Sequence, residues 1–188
     1  MRSFRVIGCS HGGEEAVLAA LATTLEGLAP DQLILEIPDD AAEAGALGWQ
    51  SPEMVWAHDW AHRHGVPVRG YEPEPRLSIL RAELGPDRIA ALVEEVRRLG
   101  RQITPQRAID LYSRGAAPQT PVETRLKVLD AELIDPAKAM QRTQAIISNI
   151  KVLARKAGTI VILCGASHTP HIAAALEPCE IVRGAYFY

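Results

Sequence analysis

Two histidines stand at matching places in this chain, each three residues after a glycine and just behind an apolar run. Phe4-Arg5-Val6-Ile7 leads into Gly8-Cys9-Ser10-His11, and Thr159-Ile160-Val161-Ile162-Leu163-Cys164 leads into Gly165-Ala166-Ser167-His168. A glycine frees the backbone to turn where a strand stops, so the imidazole that follows is carried to the sheet's rim. Imidazole exchanges protons near neutral pH and ligates metals, so two of them in one pocket suit hydrolysis by either route. The bland reading of a single such histidine is a loop residue bonded to backbone; the repeat is what raises the pair above it.

Segments Phe4–Gly8, Gln32–Ile37, Val66–Tyr71, Thr159–Cys164 and Glu180–Tyr186 are rich in β-branched residues and bounded by Gly, Pro or Asp, as strands are. Glu14–Leu28 carries Val17, Leu18, Leu21, Leu25 and Leu28 at helical spacing. Trp49–His64 reads as a helix closed by Gly65 and Pro67, and Asp135-Pro136 as the cap of another running through Met140, Ile146, Ile147, Ile150 and Leu153. Between Pro73 and Leu133 three polar helices are expected, around Arg88–Leu99, Pro105–Arg114 and Val122–Leu133. The expectation is one α/β domain over residues 1–188, with a mostly parallel sheet of about five strands flanked by helices. Residues 73–133 form a helical insertion or cap between strands 3 and 4.

In such sheets ligands bind beyond the carboxyl ends of the strands. Those ends deliver His11, Glu36, Tyr71-Glu72 and His168 to one edge, and Glu14 and Glu15 open the first helix there. Arg142 lies near the start of the helix feeding the fourth strand, which a right-handed crossover brings to the same rim. Glu36 interrupts an apolar strand, where an unpaired carboxylate is costly, so it needs Arg142 or a metal as partner. Glu72 sits in a turn-like Gly70–Pro75 stretch and reads as exposed, and Glu14 as a solvated first-turn residue.

Other patterns are weaker. His58-Asp59-Trp60-Ala61-His62 imitates a metal-binding helix, but Trp56 and Trp60 mark the opposite face as buried and leave the histidines facing solvent. His171 reads as a second-rank neighbour of His168. Cys9 beside His11 is a small buried thiol sooner than a nucleophile. Gly8-Cys9-Ser10-His11-Gly12 satisfies the letters of the G-x-S-x-G elbow, but that elbow follows several earlier strands, which makes Ser10 a runner-up. The glycines do not fit G-x-G-x-x-G.

A net charge of −3 at 23% charged residues gives no footprint for nucleic acid or anionic membrane. No apolar run has the ~18 residues of a membrane span, and no leader pattern opens the chain. Three cysteines without C-x-x-C spacing indicate neither a disulfide framework nor a cysteine zinc site. The expectation is a cytoplasmic protein with a small-molecule or peptide substrate, no nucleic-acid or membrane partner, and a homodimer as an open option.

At Gly8–His11 and Gly165–His168 the chain resembles the superfamily of TraB/PrgY pheromone-shutdown proteins, TIKI proteases, ChaN-like proteins and erythromycin esterases. His11-Gly12-Gly13-Glu14-Glu15 is similar to the H-G-x-x-E of the esterases, which favours Glu15 as the family glutamate. Leu33–Ile37 with Glu36 resembles the v-x-E strand of TraB and TIKI members, Glu53–Val68 their E-M-x-x-A helix and g-x-P-v strand, and Arg142 their helix arginine. The likeness covers roughly the first 70 and last 55 residues, and the helical middle matches nothing. It implies a hydrolytic pocket at the sheet edge: a metal-dependent peptidase in TIKI members, a metal-free esterase with a histidine base, or haem binding in ChaN-like relatives.

The reading is therefore a hydrolase of ester or amide bonds. His11 is general base or metal ligand, and His168 is its partner ligand or acid. Glu15 and Glu36 orient the imidazoles, and Arg142 holds a carboxylate or oxyanion. A divalent ion, if used, would sit on His11, Glu36 and His168. The alternatives are a non-catalytic binder of peptide or haem, and a biosynthetic helper acting on a tethered substrate.

Overall fold

In a computed structural model the chain is described at residues 2–9, 15–44, 51–72, 84–112, 115–133, 136–154, 158–184 and 187. Five strands form one all-parallel sheet: β1 (Arg2–Cys9), β2 (Gln32–Leu35), β3 (Val68–Gly70), β4 (Gly158–Gly165) and β5 (Cys179–Ile181), in the order β3-β2-β4-β1-β5. Helices α1 (Glu15–Leu28), α2 (Asp39–Ala44) and α3 (Pro52–His64) follow the first two strands. Three helices, α4 (Pro86–Gly100), α5 (Pro105–Tyr112) and α6 (Pro121–Leu133), form the expected insertion between β3 and β4. Helix α7 (Pro136–Leu153) leads into β4, and a 3-10 turn (Ala166–His168) with α8 (Thr169–Ala175) connects β4 to β5.

Parallel strands covered on both faces are nearly continuous apolar runs, as Leu33–Leu35 of β2 and Ile160–Cys164 of β4 are. One face packs Ile7, Leu33, Leu35, Val161 and Leu163 against Val17, Leu21 and Leu25 of α1 and Met54, Ala57 and Trp60 of α3. The opposite face packs Val6, Ile34, Ile160, Ile162 and Cys164 against Ile146 and Ile150 of α7 and Ile172 of α8. The chain thus leaves β1 toward α1 on one face and leaves β4 toward α8 on the other. Adjacent strands whose connections part in this way open a crevice at their carboxyl ends.

That crevice is where the two glycine motifs begin. Strands β1 and β4 pair over their whole length, and the last rungs are Gly8↔Cys164 and Cys9↔Gly165. The motifs also interlock: a Cβ on Gly8 would overlap the Thr169 hydroxyl and lie 3.2 Å from Ala166 Cα. Thr169, fully buried, follows the second motif directly. Gly8→Ala is expected to cost about 1–3 kcal/mol in urea unfolding, as overpacking does, with Thr169→Ala in the same chain recovering much of it. A Gly8→Ala protein as stable as the parent would contradict this packing.

The insertion has its own small core of Leu92, Leu99, Leu126 and Leu129. Thr120 caps α6 by accepting from Glu123 N at 3.2 Å, and Arg107 donates to both Glu123 oxygens at 2.9 and 2.8 Å. The Arg107 fork, with a further bond from Gln119 N, holds the Glu123 carboxyl down at about 2. A carboxyl depressed in the fold contributes stability above its unfolded value, lost as pH falls through the folded one. Thermal unfolding is therefore expected to fall more steeply between about pH 4.5 and 2 in the parent than in Glu123→Gln. Parallel slopes would contradict it. Helix α5 contacts the 3-10 turn that carries His168, so the insertion reaches the rim.

Several expectations change. The fifth strand pairs over Cys179–Ile181, against Phe4–Val6, with one further bond from Val182 N to Val6 O; its expected end at Tyr186 lies outside the described residues. Helices α2 and α8 were not expected as elements; each is short, with six and seven residues. The cap expected at Asp135 lies outside the described residues. Among the described residues no helix is long and apolar enough to cross a membrane.

Candidate functional site

Glu36 lies one residue past β2, on the rung above Leu35↔Leu163, and alternation turns it to the Ile34 face beneath α7. Arg142, in the second turn of α7, meets it there. The Arg142 Nη2 donates to Glu36 Oε1 at 3.0 Å, and its Nε donates to Glu72 Oε1 at 3.2 Å. A further Nη2 bond to Glu72 Oε2 completes a fork on that carboxylate. The Arg142 Nη1 contacts His168 Nε2 at 3.0 Å. Glu36 Oε2 accepts from the backbone N–H of Gly165 at 2.6 Å, which ties β2 to the second motif. Side-chain exposures of 21% for Arg142, 12% for Glu36, 6% for Glu72 and 16% for His168 describe a mostly sealed group with an opening at the arginine and histidine.

The electrostatics follow from the contacts. Burial opposes the Arg142 charge, and Glu72 and Glu36 together outweigh it, so its pKa stands above the usual value. A guanidinium has no acceptor, so its contact with His168 uses the Nε2 lone pair. Glu36 Oε1, at 3.6 Å from the same Nε2, is too far for a hydrogen bond. Of the five N–H groups of Arg142, these contacts commit four, and one Nη1 donor beside His168 is left for a ligand.

Sequence reasoning named Glu36, Arg142 and His168, and the structure brings those three together. It underrated Glu72, expected exposed: the residue is buried, at 7% exposure, and binds Arg142 most closely. The missed signal is arithmetic, since a buried fork of five donors needs more than one carboxylate. Glu15 opens α1 and is exposed, and among the described residues it makes no contact with this group. His11, with Ser10 and Glu14, lies outside the described residues; Cys9, two positions before His11, pairs beside Gly165.

The weaker candidates also resolve. His58 does not face solvent as expected; it is buried and its Nε2 donates to Ala42 O at 2.9 Å, across to α2. Its ring stands 4.4 Å from the exposed His62, tilted by 55°. Burial, then the charges of Glu53, Cys164 and Glu36, pushes the Cys9 thiol well up, which disfavours the thiolate a nucleophile needs. His171 is exposed.

For a divalent ion the described donors fit poorly. Glu36, Glu72 and His168 would serve as ligands, but the Arg142 guanidinium already stands among them as their cation. Among the described residues no group of three or more His, Cys, Asp and Glu is arranged to hold a metal. A depression of about 360 Å³ adjoins the group at Glu72, with Pro38, Asp39, Gly70, Asn149 and Leu153 in its wall. Asp39 shapes it: Arg69 donates to the carboxylate at 2.8 Å and Gly70 N at 2.9 Å, which together depress its pKa. Compared with family models, curated proteins and solved structures, the chain shows no match to any of them, so fold and site rest on their own geometry.

Proposed function

We propose that this protein hydrolyses ester or amide (including peptide) bonds by general acid–base chemistry in the crevice between β1 and β4. The observation that carries the reading is the group itself. The carboxylates of Glu72 and Glu36 and one guanidinium gather around a partly exposed imidazole, with a spare donor beside it. Core stability does not need such a group, since apolar residues of similar volume do as well. The paired glycine–histidine motifs and their resemblance to the TraB, TIKI and erythromycin esterase superfamily point the same way.

In this reading His11 removes the proton from the attacking water and, as the imidazolium so formed, passes it to the leaving group, while His168 holds that group by a hydrogen bond. The free Nη1 donor of Arg142 meets the oxygen that gains charge as water adds. Glu36 and Glu72 keep the guanidinium charged and aimed. A metal-assisted version on His11, Glu36 and His168 requires Arg142 to withdraw, so the metal-free route is the one preferred. The substrate is a small molecule or peptide, and the setting cytoplasmic.

A panel of p-nitrophenyl esters and aminoacyl anilides, assayed with and without EDTA, tests the reading. Turnover that survives EDTA supports it. Absence of product from every member, with a peptide or haem retained by the protein, would make it a binding protein instead.

A further inference from the structure

Helix α3 carries a histidine pair that the proposed chemistry does not use. His58 and His62 stand one turn apart on one face of the helix, with ring centroids 4.4 Å apart and planes tilted by 55°. His58 is 4% exposed, and its Nε2 donates to Ala42 O of α2 at 2.9 Å, which fixes the ring. A carbonyl only accepts, so Nε2 holds a proton and, in the neutral ring, Nδ1 carries a lone pair. That Nδ1 is buried and has no hydrogen-bond partner. Asp59 Oδ1 stands 3.6 Å from it, too far for a hydrogen bond.

A buried ring nitrogen without a partner costs stability, and an apolar side chain of similar size would avoid that cost. A metal ion would satisfy it. Metal-ligating histidines characteristically donate their other ring N–H to a backbone carbonyl or a carboxylate, which fixes tautomer and orientation. His58 already has that arrangement, with Nε2 tied to α2 and Nδ1 left over. Bonds of about 2.0–2.2 Å to a tetrahedral ion set neighbouring donors roughly 3.4 Å apart. The Nδ1–Oδ1 separation of 3.6 Å is close to such an edge. His62, four residues on, has the spacing by which a helix offers two imidazoles to one ion.

We propose that His58 Nδ1, His62 and Asp59 bind one divalent transition-metal ion, with Zn²⁺ the ion that two imidazoles and a carboxylate suit best. The side chains do not form a three-donor cage as they stand. His62 and Asp59 are both exposed, however, so closing on an ion takes rotamer changes at the surface and leaves the core alone. The role is structural. The ion would fasten the ring that ties α3 to α2, and α2 carries Asp39, whose carboxylate accepts from Gly70 N. The site stands whether or not any ester or amide is cleaved.

Calorimetric titration of the chelator-stripped protein with ZnCl₂ is the test, on the parent, His62→Ala and His168→Ala. One ion is expected to bind the parent at this site, at least about 10-fold more weakly in His62→Ala and unchanged in His168→Ala, since even a ligand's supporting partners are worth that much. No binding to the parent, or binding that His62→Ala leaves intact, would overturn the proposal. Loss in His168→Ala alone would place the ion on the candidate hydrolytic group and overturn it equally. Ring-nitrogen NMR of the parent gives a second readout that needs no variant. The His58 Nδ1 resonance is expected to shift with Zn²⁺ while those of His64 hold. Shifts confined to His62 and His64 would show an adventitious surface ion only, and contradict the site.

Discussion

Replacing Arg142 with methionine is expected to lower the free energy of unfolding by about 3 kcal/mol, the low end of the ~3–5 kcal/mol typical when one partner of a buried ion pair is removed. Methionine keeps the length and apolar stem of the side chain, so little packing is lost. What goes is the only cation bonded to Glu36 and Glu72 among the described residues, with carboxylate exposures of 12% and 6%. The low end applies because 21% exposure lets solvent reach the guanidinium end. Two carboxylates left together without the guanidinium each disfavour the other's ionisation, so the loss should be greater at pH 8 than at pH 5. Adding Glu36→Gln and Glu72→Gln to Arg142→Met should recover most of it, because a neutral group has no charge to strand. Urea unfolding of the parent, the single variant and the triple variant decides the matter. A single variant within about 1 kcal/mol of the parent would show that the three side chains are not coupled.

Glu36→Gln is expected to reduce turnover about 10²–10³-fold while the fold persists, the range for losing one preorganised electrostatic group. The amide is nearly isosteric with the carboxylate but carries an NH₂ in place of one oxygen. In either orientation that NH₂ faces a donor, Arg142 Nη2 or the Gly165 N–H. Arg142 then loses one of its two anchors, and its spare Nη1 donor is no longer aimed. The effect should fall on kcat, because the aim of that donor matters where charge develops, with KM changing little. A rise in KM alone would assign Glu36 to substrate binding. Circular dichroism and the urea midpoint confirm that the variant is folded.

How much of this was legible in the sequence follows from the physics of each element. Strands β1, β2 and β4 declare themselves because strands buried on both faces are nearly continuous apolar runs. Strand β5 is harder to bound because an edge strand pairs on one side only, and its register with β1 ends at Val6↔Ile181. Helix α2 is hidden because six residues do not complete the two turns that reveal helical periodicity. Its signal was Asp39, two residues past Ile37, whose carboxylate caps the backbone of Gly70. Gly70 itself is required there, since a Cβ would collide with the carbonyls of Ile37 and Pro38.

The site was legible where an argument from cost could be made. Glu36 in an apolar strand demanded a partner, and Arg142 was named as one. Glu72 was misread because Gly70 to Pro75 has turn chemistry, which says nothing of what packs over the turn. His58 was misread because a helix can bury more than the face its tryptophans mark; here α2 covers the other side. The contact of His168 Nε2 with the Arg142 guanidinium lay beyond sequence reasoning, since it depends on how the 3-10 turn aims the ring.

The most direct test compares kcat/KM for His11→Ala and His168→Ala with the parent on the panel member it cleaves fastest. Each variant is predicted to fall about 10²–10⁴-fold, the range for removing a general acid or base. Stably folded variants that both keep near-parental rates would contradict the site and the chemistry assigned to it.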